Sequence, residues 1–184
     1  MNITRVIISL FLALSASAAQ AALKPGDAAP DFAAQAAIGG KDFNFSLTEA
    51  LKKGPVVLYF YPKSFTRGCT IEAHEFAESY DSFAAAGASL IGVSSDTIET
   101  QREFSTKECR DKFPVAADPA FKVINAYDAK RLKPSASGDT VADRISYVIL
   151  PDGKVAFSLT DSNPSRHVES TLEFVRKWRE EHKP

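Results

Sequence analysis

Two rhythms of hydrophobic and polar positions run along this chain. Val56 to Tyr61 and Ala88 to Val93 are nearly unbroken apolar runs, rich in β-branched and aromatic residues, as strands covered on both faces require. Between them, Ile71, Phe76, Tyr80 and Phe83 recur at helical spacing from Thr70 to Ala86, and Gly87 is placed to cap that helix. Before the first strand, Leu23 to Phe45 reads as an irregular arm with short strands. Ser46 then caps a short helix to Lys53, stopped by Gly54-Pro55. After the second strand, Asp96 or Thr97 caps a helix running to about Lys112, with Phe104 as its apolar anchor, and Phe113 to Ala117 is a short strand. Asp118-Pro119 opens a helix through Val123, Ile124 and Tyr127, and the polar Lys130 to Asp143 segment reads as a surface loop. Arg144 to Leu150 and Lys154 to Leu159 flank the turn Pro151-Asp152-Gly153, which predicts a hairpin. Val168, Leu172 and Val175, with Phe174 and Trp178 beside them, describe a last amphipathic helix.

Strands alternating with helices imply crossovers and parallel neighbours, hence an α/β fold with helices on both faces of a central mixed sheet. The first residues change the picture only by removing themselves from it. Arg5, the apolar run Val6 to Leu14 and the small-residue stretch ending Ala19-Gln20-Ala21 have the form of a signal peptide over residues 1–21, cleaved after Ala21. The competing reading, a membrane anchor, needs roughly 20 apolar residues, and this run is too short. Residues 22–184 then form one domain, expected in the periplasm or outside the cell. Lysine and arginine total 22 against 23 acidic residues, and the charges alternate along the chain rather than cluster, so nothing suggests a nucleic-acid groove. An export signal implies an oxidising compartment, where two cysteines suggest one disulfide or one redox pair. They do not form Cys-x-x-Cys, which argues against thioredoxin-type dithiol exchange and a zinc knuckle.

Pro62 and Gly68 punctuate a loop between the first buried strand and the helix, so Cys69 falls at the first turn, where free backbone N–H groups converge. A helix N-terminus carries roughly half a positive charge, and thiols placed there titrate below the free value of about 8.5. Cys69 is therefore a candidate nucleophile.

Here the residues also resemble a known family. Pro62, Thr66 and Cys69 reproduce the Pro-x-x-x-Thr-x-x-Cys signature of peroxiredoxins, and Gly68-Cys69-Thr70-x-Glu72 after Leu58-Tyr59-Phe60-Tyr61-Pro62 is similar to the PrxQ, or bacterioferritin-comigratory-protein, branch. The likeness extends from Gly26-x-x-x-Pro30-Asp31-Phe32 through Arg144-Ile145-Ser146-Tyr147-Val148-Ile149 and Pro151-Asp152-Gly153. It implies a thioredoxin-like fold and a thiol peroxidase acting on hydrogen peroxide or small organic hydroperoxides. In that chemistry Cys69 attacks the peroxide, Thr66 holds it, Arg144 sets a positive charge over the sulfur and Pro62 shields the thiolate. Backbone N–H groups near Gly68 and Cys69 offer further donors. Glu72, one turn on, either orients Arg144 or simply favours the helix start. No metal or flavin is implied. The expected partners are a peroxide and a thioredoxin-like or other thiol reductant, with the chain a monomer or weak dimer and no stable membrane association.

Attack leaves a sulfenic acid that must be reduced before overoxidation. In many PrxQ-like sequences the second thiol lies five residues on, but that position here is His74, and Cys109 is the only internal candidate. Two cysteines on separate helices rarely bring their Cα atoms within about 7 Å, so a bridge would require local unfolding. The alternatives for Cys109 are a structural thiol, with Cys69 reduced by an external thiol, or a static bridge to Cys69. His74 reads as a surface helix residue rather than a metal ligand, and His167 and His182 lie among charges with no clear function. Tyr59, Phe60 and Tyr61 read as core and pocket wall, Phe65 as a hydrophobic rim. The competing class is an exported thioredoxin-fold protein that binds or exchanges thiols without peroxidase turnover.

Overall fold

The computed structural model describes residues 22–135 and 137–182; the proposed signal peptide lies outside them. In chain order the elements are β1 (Ala33–Ile38), β2 (Lys41–Ser46), α1 (Leu47–Leu51), β3 (Val56–Phe60), α2 (Arg67–Ala85), β4 (Ser89–Ser94), α3 (Ile98–Lys107), β5 (Val115–Ala117), α4 (Lys122–Ala126), β6 (Ile145–Ile149), β7 (Val155–Thr160) and α5 (Pro164–Glu181). The strands form one sheet in the order β2-β1-β5-β4-β3-β6-β7. β3, β4 and β5 run parallel, while β6 pairs antiparallel with β3 and β7, and β1 with β2 and β5. This is the expected mixed α/β sheet.

The pleat of β3 assigns side chains to two cores. Val56, Leu58 and Phe60 point to one face, where Leu47 and Leu51 of α1 and Val123 and Ile124 of α4 cover them. Val57, Tyr59 and Tyr61 point to the other, against Ala73, Phe76 and Phe83 of α2, Phe104 of α3 and Val168 and Val175 of α5. Burying each such aliphatic or aromatic side chain is worth roughly 1.5–3 kcal/mol, so a strand with no polar position is held from both sides. Tyr59 fits because its neighbour across the ladder is Gly92: a Cβ there would lie 2.6 Å from the Tyr59 ring. The ring stacks on Phe76 at 4.5 Å.

The arm before β3 is more regular than its composition implies. The alanine-rich β1 becomes a strand because it is paired on both sides, by β2 through a turn with Gly39 and Gly40 at positive φ, and by β5. Ser46 caps α1 by accepting the Glu49 N–H. The carboxylate of Asp118 accepts the N–H groups of Lys122 and Ile124 at the start of α4. The β6–β7 hairpin closes with Gly153 at φ 77°, as its turn residues predict.

α4 starts at Lys122 rather than at Asp118-Pro119, and the larger shift is at the end of α3. α3 stops at Lys107 rather than near Lys112, because Arg110 and Asp111 take left-handed φ of 52° and 58°. Cys109 consequently sits beyond the helix, in a turn, with its N–H donated to Phe104 O at 3.0 Å.

Candidate active site

The strand-to-helix connection is held residue by residue. Tyr61 N–H still donates to Val93 O at 3.1 Å, after which Pro62, having no N–H, ends the ladder. Ser64 N–H donates to the Asp96 carboxylate at 2.7 Å, Phe65 turns the chain with φ 63°, and Thr66 is the N-cap of α2. Cys69 is the third helical residue, in the turn whose N–H groups have no intrahelical acceptors. The Thr66 hydroxyl donates to Lys63 O at 2.9 Å, which leaves its oxygen lone pairs as acceptors at the exposed loop.

Arg144 comes from 75 residues further along the chain, immediately before β6, the strand that pairs with β3. Its Nη2 lies 3.4 Å from Cys69 Sγ, and its Nη1 pairs with Glu72. Gly68 makes that approach possible, since a Cβ there would sit 3.1 Å from Arg144 Nη2. Burial disfavours charge on Arg144, but the Glu72 carboxylate and the Cys69 sulfur outweigh it and hold the guanidinium protonated. Glu72 is fully buried. Burial pushes its carboxyl up to about 8 against the opposing pull of Arg144, and one of its oxygens, Oε1, meets no donor among the described residues. The structure thus brings Cys69, Arg144 and Glu72 into direct contact, with Thr66 and half-buried Pro62 on the loop before them.

Sequence reading missed the polar anchor beneath this loop. Gln101 of α3 is completely buried; it accepts from the Tyr61 hydroxyl at 2.8 Å and donates to Ser94 Oγ at 2.7 Å and Ala116 O at 3.1 Å. Ser94 Oγ in turn donates to the Asp96 carboxylate at 2.7 Å, the same group that holds Ser64. Its one signal in sequence is Gln101 three residues before the core residue Phe104, a polar residue on an apolar stripe.

Cys109 joins the same core from the other side, beside Phe113, and both cysteines are free thiols. Burial pushes the Cys109 thiol well up, and the neighbouring acids Glu108 and Asp111 add to it. One histidine differs from expectation. His74 is a partly exposed residue of α2, as expected, and pairs with Glu108 at 2.7 Å. His167, expected among charges, is buried because the β6 face and the chain before α5 close over it; it lies 2.8 Å from Ser146 Oγ and 2.9 Å from Asp161 O. Phe65 is an exposed rim, edge-on to Phe104, while Phe60 faces away from Cys69 into the opposite core. A groove of about 380 Å³ elsewhere, between Phe43, Tyr80 and Pro114, is lined by neither cysteine.

A loop-borne thiol at a helix start, crossed by an arginine that is itself held by a buried glutamate, coincides with a family match. The model of the AhpC/TSA family fits residues 25–158, and the chain belongs to that family. Within it, the chain is a peroxiredoxin of the Q/Bcp-like kind. It is 34% identical over 134 residues to a chloroplastic peroxiredoxin Q of Gentiana triflora, covering 72% of this chain and 59% of the relative. It is 32% identical over 126 residues to peroxiredoxin Bcp of Bacillus subtilis, covering 68% and 80%. The crystal structure of peroxidoxin BcpB from Mycobacterium tuberculosis superposes with a TM-score of 0.74 at 30% identity, over 84% of this chain and 97% of that one. The chain spans about three-fifths of the length of the Gentiana protein. Among the described residues no cluster of His, Cys, Asp and Glu could hold a metal ion, and no helix is long and apolar enough to cross a membrane.

Proposed function

We propose that the protein is a thiol-dependent peroxidase that reduces hydrogen peroxide and small organic hydroperoxides through Cys69. The observation that carries this reading is the Arg144 guanidinium 3.4 Å from the Cys69 sulfur, anchored by Glu72 at a buried helix start. A fixed positive charge there stabilises the thiolate and then the oxyanion that grows on the leaving oxygen. Thr66 supplies an acceptor for the peroxide O–H, and its own hydroxyl hydrogen is already committed to Lys63 O. Pro62 walls the sulfur from bulk water. The sulfur displaces one oxygen, the O–O bond breaks, and water or an alcohol leaves with the proton, while Cys69 becomes a sulfenic acid.

Cys109 then resolves it. Its thiol gives up a proton, the sulfur attacks the Cys69 sulfur, the S–S bond forms as the S–O bond breaks, and the hydroxyl takes up that proton and leaves as water. A thioredoxin-like or other dithiol reductant returns both sulfurs to thiols. The N-terminal pattern supports export of the chain, with the reaction in the periplasm or outside the cell and the protein a monomer or weak dimer. The sequence similarity to Q- and Bcp-type peroxiredoxins supports the peroxidase reading.

The test is stoichiometric. Fully reduced protein mixed with one equivalent of hydrogen peroxide consumes it rapidly, and Cys69→Ser consumes none. If reduced wild-type protein leaves the peroxide untouched, it is a thiol-binding or thiol-exchanging protein without peroxidase turnover.

A further inference from the structure

The turn that carries Cys109 is fastened to the helix that carries Cys69. From α2, His74, Glu78 and Asp81 project along one face at helical spacing. Each meets one residue of the Glu108–Lys112 segment: His74 with Glu108 at 2.7 Å, Glu78 with Arg110 at 3.1 Å, and Asp81 with Lys112 at 3.6 Å. In order along α2 the three are a histidine and two acids, and along the turn an acid and two bases, so a shift of register would set like charges against each other. Between the first two fasteners Cys109 is completely buried, and directly after it Arg110 and Asp111 hold left-handed backbone that non-glycine residues adopt sparsely. The His74–Glu108 pair is the most sheltered of the three, with side-chain exposures of 35% and 18%.

We propose that these pairs, His74–Glu108 foremost, are a latch that positions Cys109 and sets how often its segment opens toward Cys69. The proposal rests on the reading of Cys109 as the resolving thiol. A sulfur buried in an apolar core cannot reach a second sulfur in its own helix turn without the intervening backbone giving way. The strained turn favours opening and the ion pairs oppose it, so the segment is held closed by contacts that salt screens and single substitutions remove. Glu108 and Asp111 are the acids beside Cys109; on the α2 side the latch faces His74, Glu78 and Asp81, and Lys112 also lies 5.9 Å over the Tyr80 ring. His74 and Glu108 are thus positioning residues: neither touches the peroxide, and both act through Cys109.

Opening is measured by the rate at which iodoacetamide labels Cys109 in a Cys69→Ser protein, where no disulfide can form. Replacing Glu108 by glutamine is expected to speed labelling about two- to fivefold. His74→Lys, which gives Glu108 a positive partner, holds the rate at or below that of the parent. Salt on the order of 1 M speeds the parent more than Glu108→Gln, in which only the Glu78–Arg110 and Asp81–Lys112 pairs are left to screen. Equal labelling rates for parent and Glu108→Gln overturn the latch. The second arm follows disulfide formation after one equivalent of peroxide in chains retaining both cysteines. Faster bridging in Glu108→Gln supports the latch acting in resolution. Faster labelling with no bridge in any chain leaves the latch standing and refutes Cys109 as the resolving thiol.

Discussion

Cys69 and Cys109 lie in the same hydrophobic core and are almost equally hidden, at 2% and 0% exposure, yet their surroundings are opposite. Cys69 sits at a helix start with a guanidinium against its sulfur. Cys109 sits past a helix end, between two acids, and burial pushes its thiol up. Burial penalises negative charge at both sulfurs, so depth alone does not separate them. The sign of the nearest charge and the direction of the nearest helix do, because each decides whether negative charge on sulfur is stabilised or penalised.

Removing the charge should erase most of the difference between the two sulfurs. Arg144→Met is expected to slow the reaction of Cys69 with hydrogen peroxide by about 10²–10³-fold, the loss that follows deletion of one oxyanion donor. Stopped-flow peroxide consumption measures it, and Arg144→Lys should fall between. A near-normal rate in Arg144→Met would mean that the helix start alone activates the thiol. Next in size, Cys109→Ser should keep the first turnover intact but accumulate sulfenic and then sulfinic acid on Cys69, read by intact-protein mass. Normal turnover of that variant with a dithiol reductant would remove Cys109 from the cycle.

Effects on stability should be smaller. Gly92→Ala forces a Cβ into the Tyr59 ring and should cost about 1–3 kcal/mol in denaturant unfolding, loosening the wall that both cysteines share. The pH dependence follows Glu72. Its folded pKa of about 8 lies above the ordinary carboxylate value of roughly 4.3, so the folded state holds the proton more tightly. Its contribution to stability is full below about pH 4.3 and is lost as pH rises toward 8, at a limiting slope on the order of 1.4 kcal/mol per pH unit. Glu72→Gln should flatten that decline. Parallel stability curves for the two proteins would show that Arg144 compensates the carboxylate completely.

Much of the Cys69 region was legible because its signals are local. An all-apolar strand, a proline with no N–H, a glycine and a helical stripe follow one another within Val56 to Phe83, and the order alone puts Cys69 at a helix start. Arg144 was legible only through family resemblance, since a charged residue before a strand looks like surface. Cys109 was misplaced because Arg110 and Asp111 end α3 without glycine or proline, the usual marks of a helix stop. The Gln101–Ser94–Asp96 anchor and the burial of His167 were hidden for another reason: buried polar side chains are satisfied by partners distant in sequence, and no spacing rule encodes those meetings. β1 shows the same limit in the backbone, as alanines with weak strand preference are made a strand by neighbours on both sides.

The contrast between the sulfurs is tested most directly by finding which one takes the first oxygen. Reduced Cys109→Ser and Cys69→Ser proteins are each given one equivalent of hydrogen peroxide, quenched with a sulfenic-acid trap and mapped by peptide mass spectrometry. The expected result is a trapped adduct on Cys69 in the first protein and an unmodified Cys109 in the second. An adduct on Cys109 formed as quickly as that on Cys69 would contradict the claim that the neighbouring charge decides which sulfur reacts.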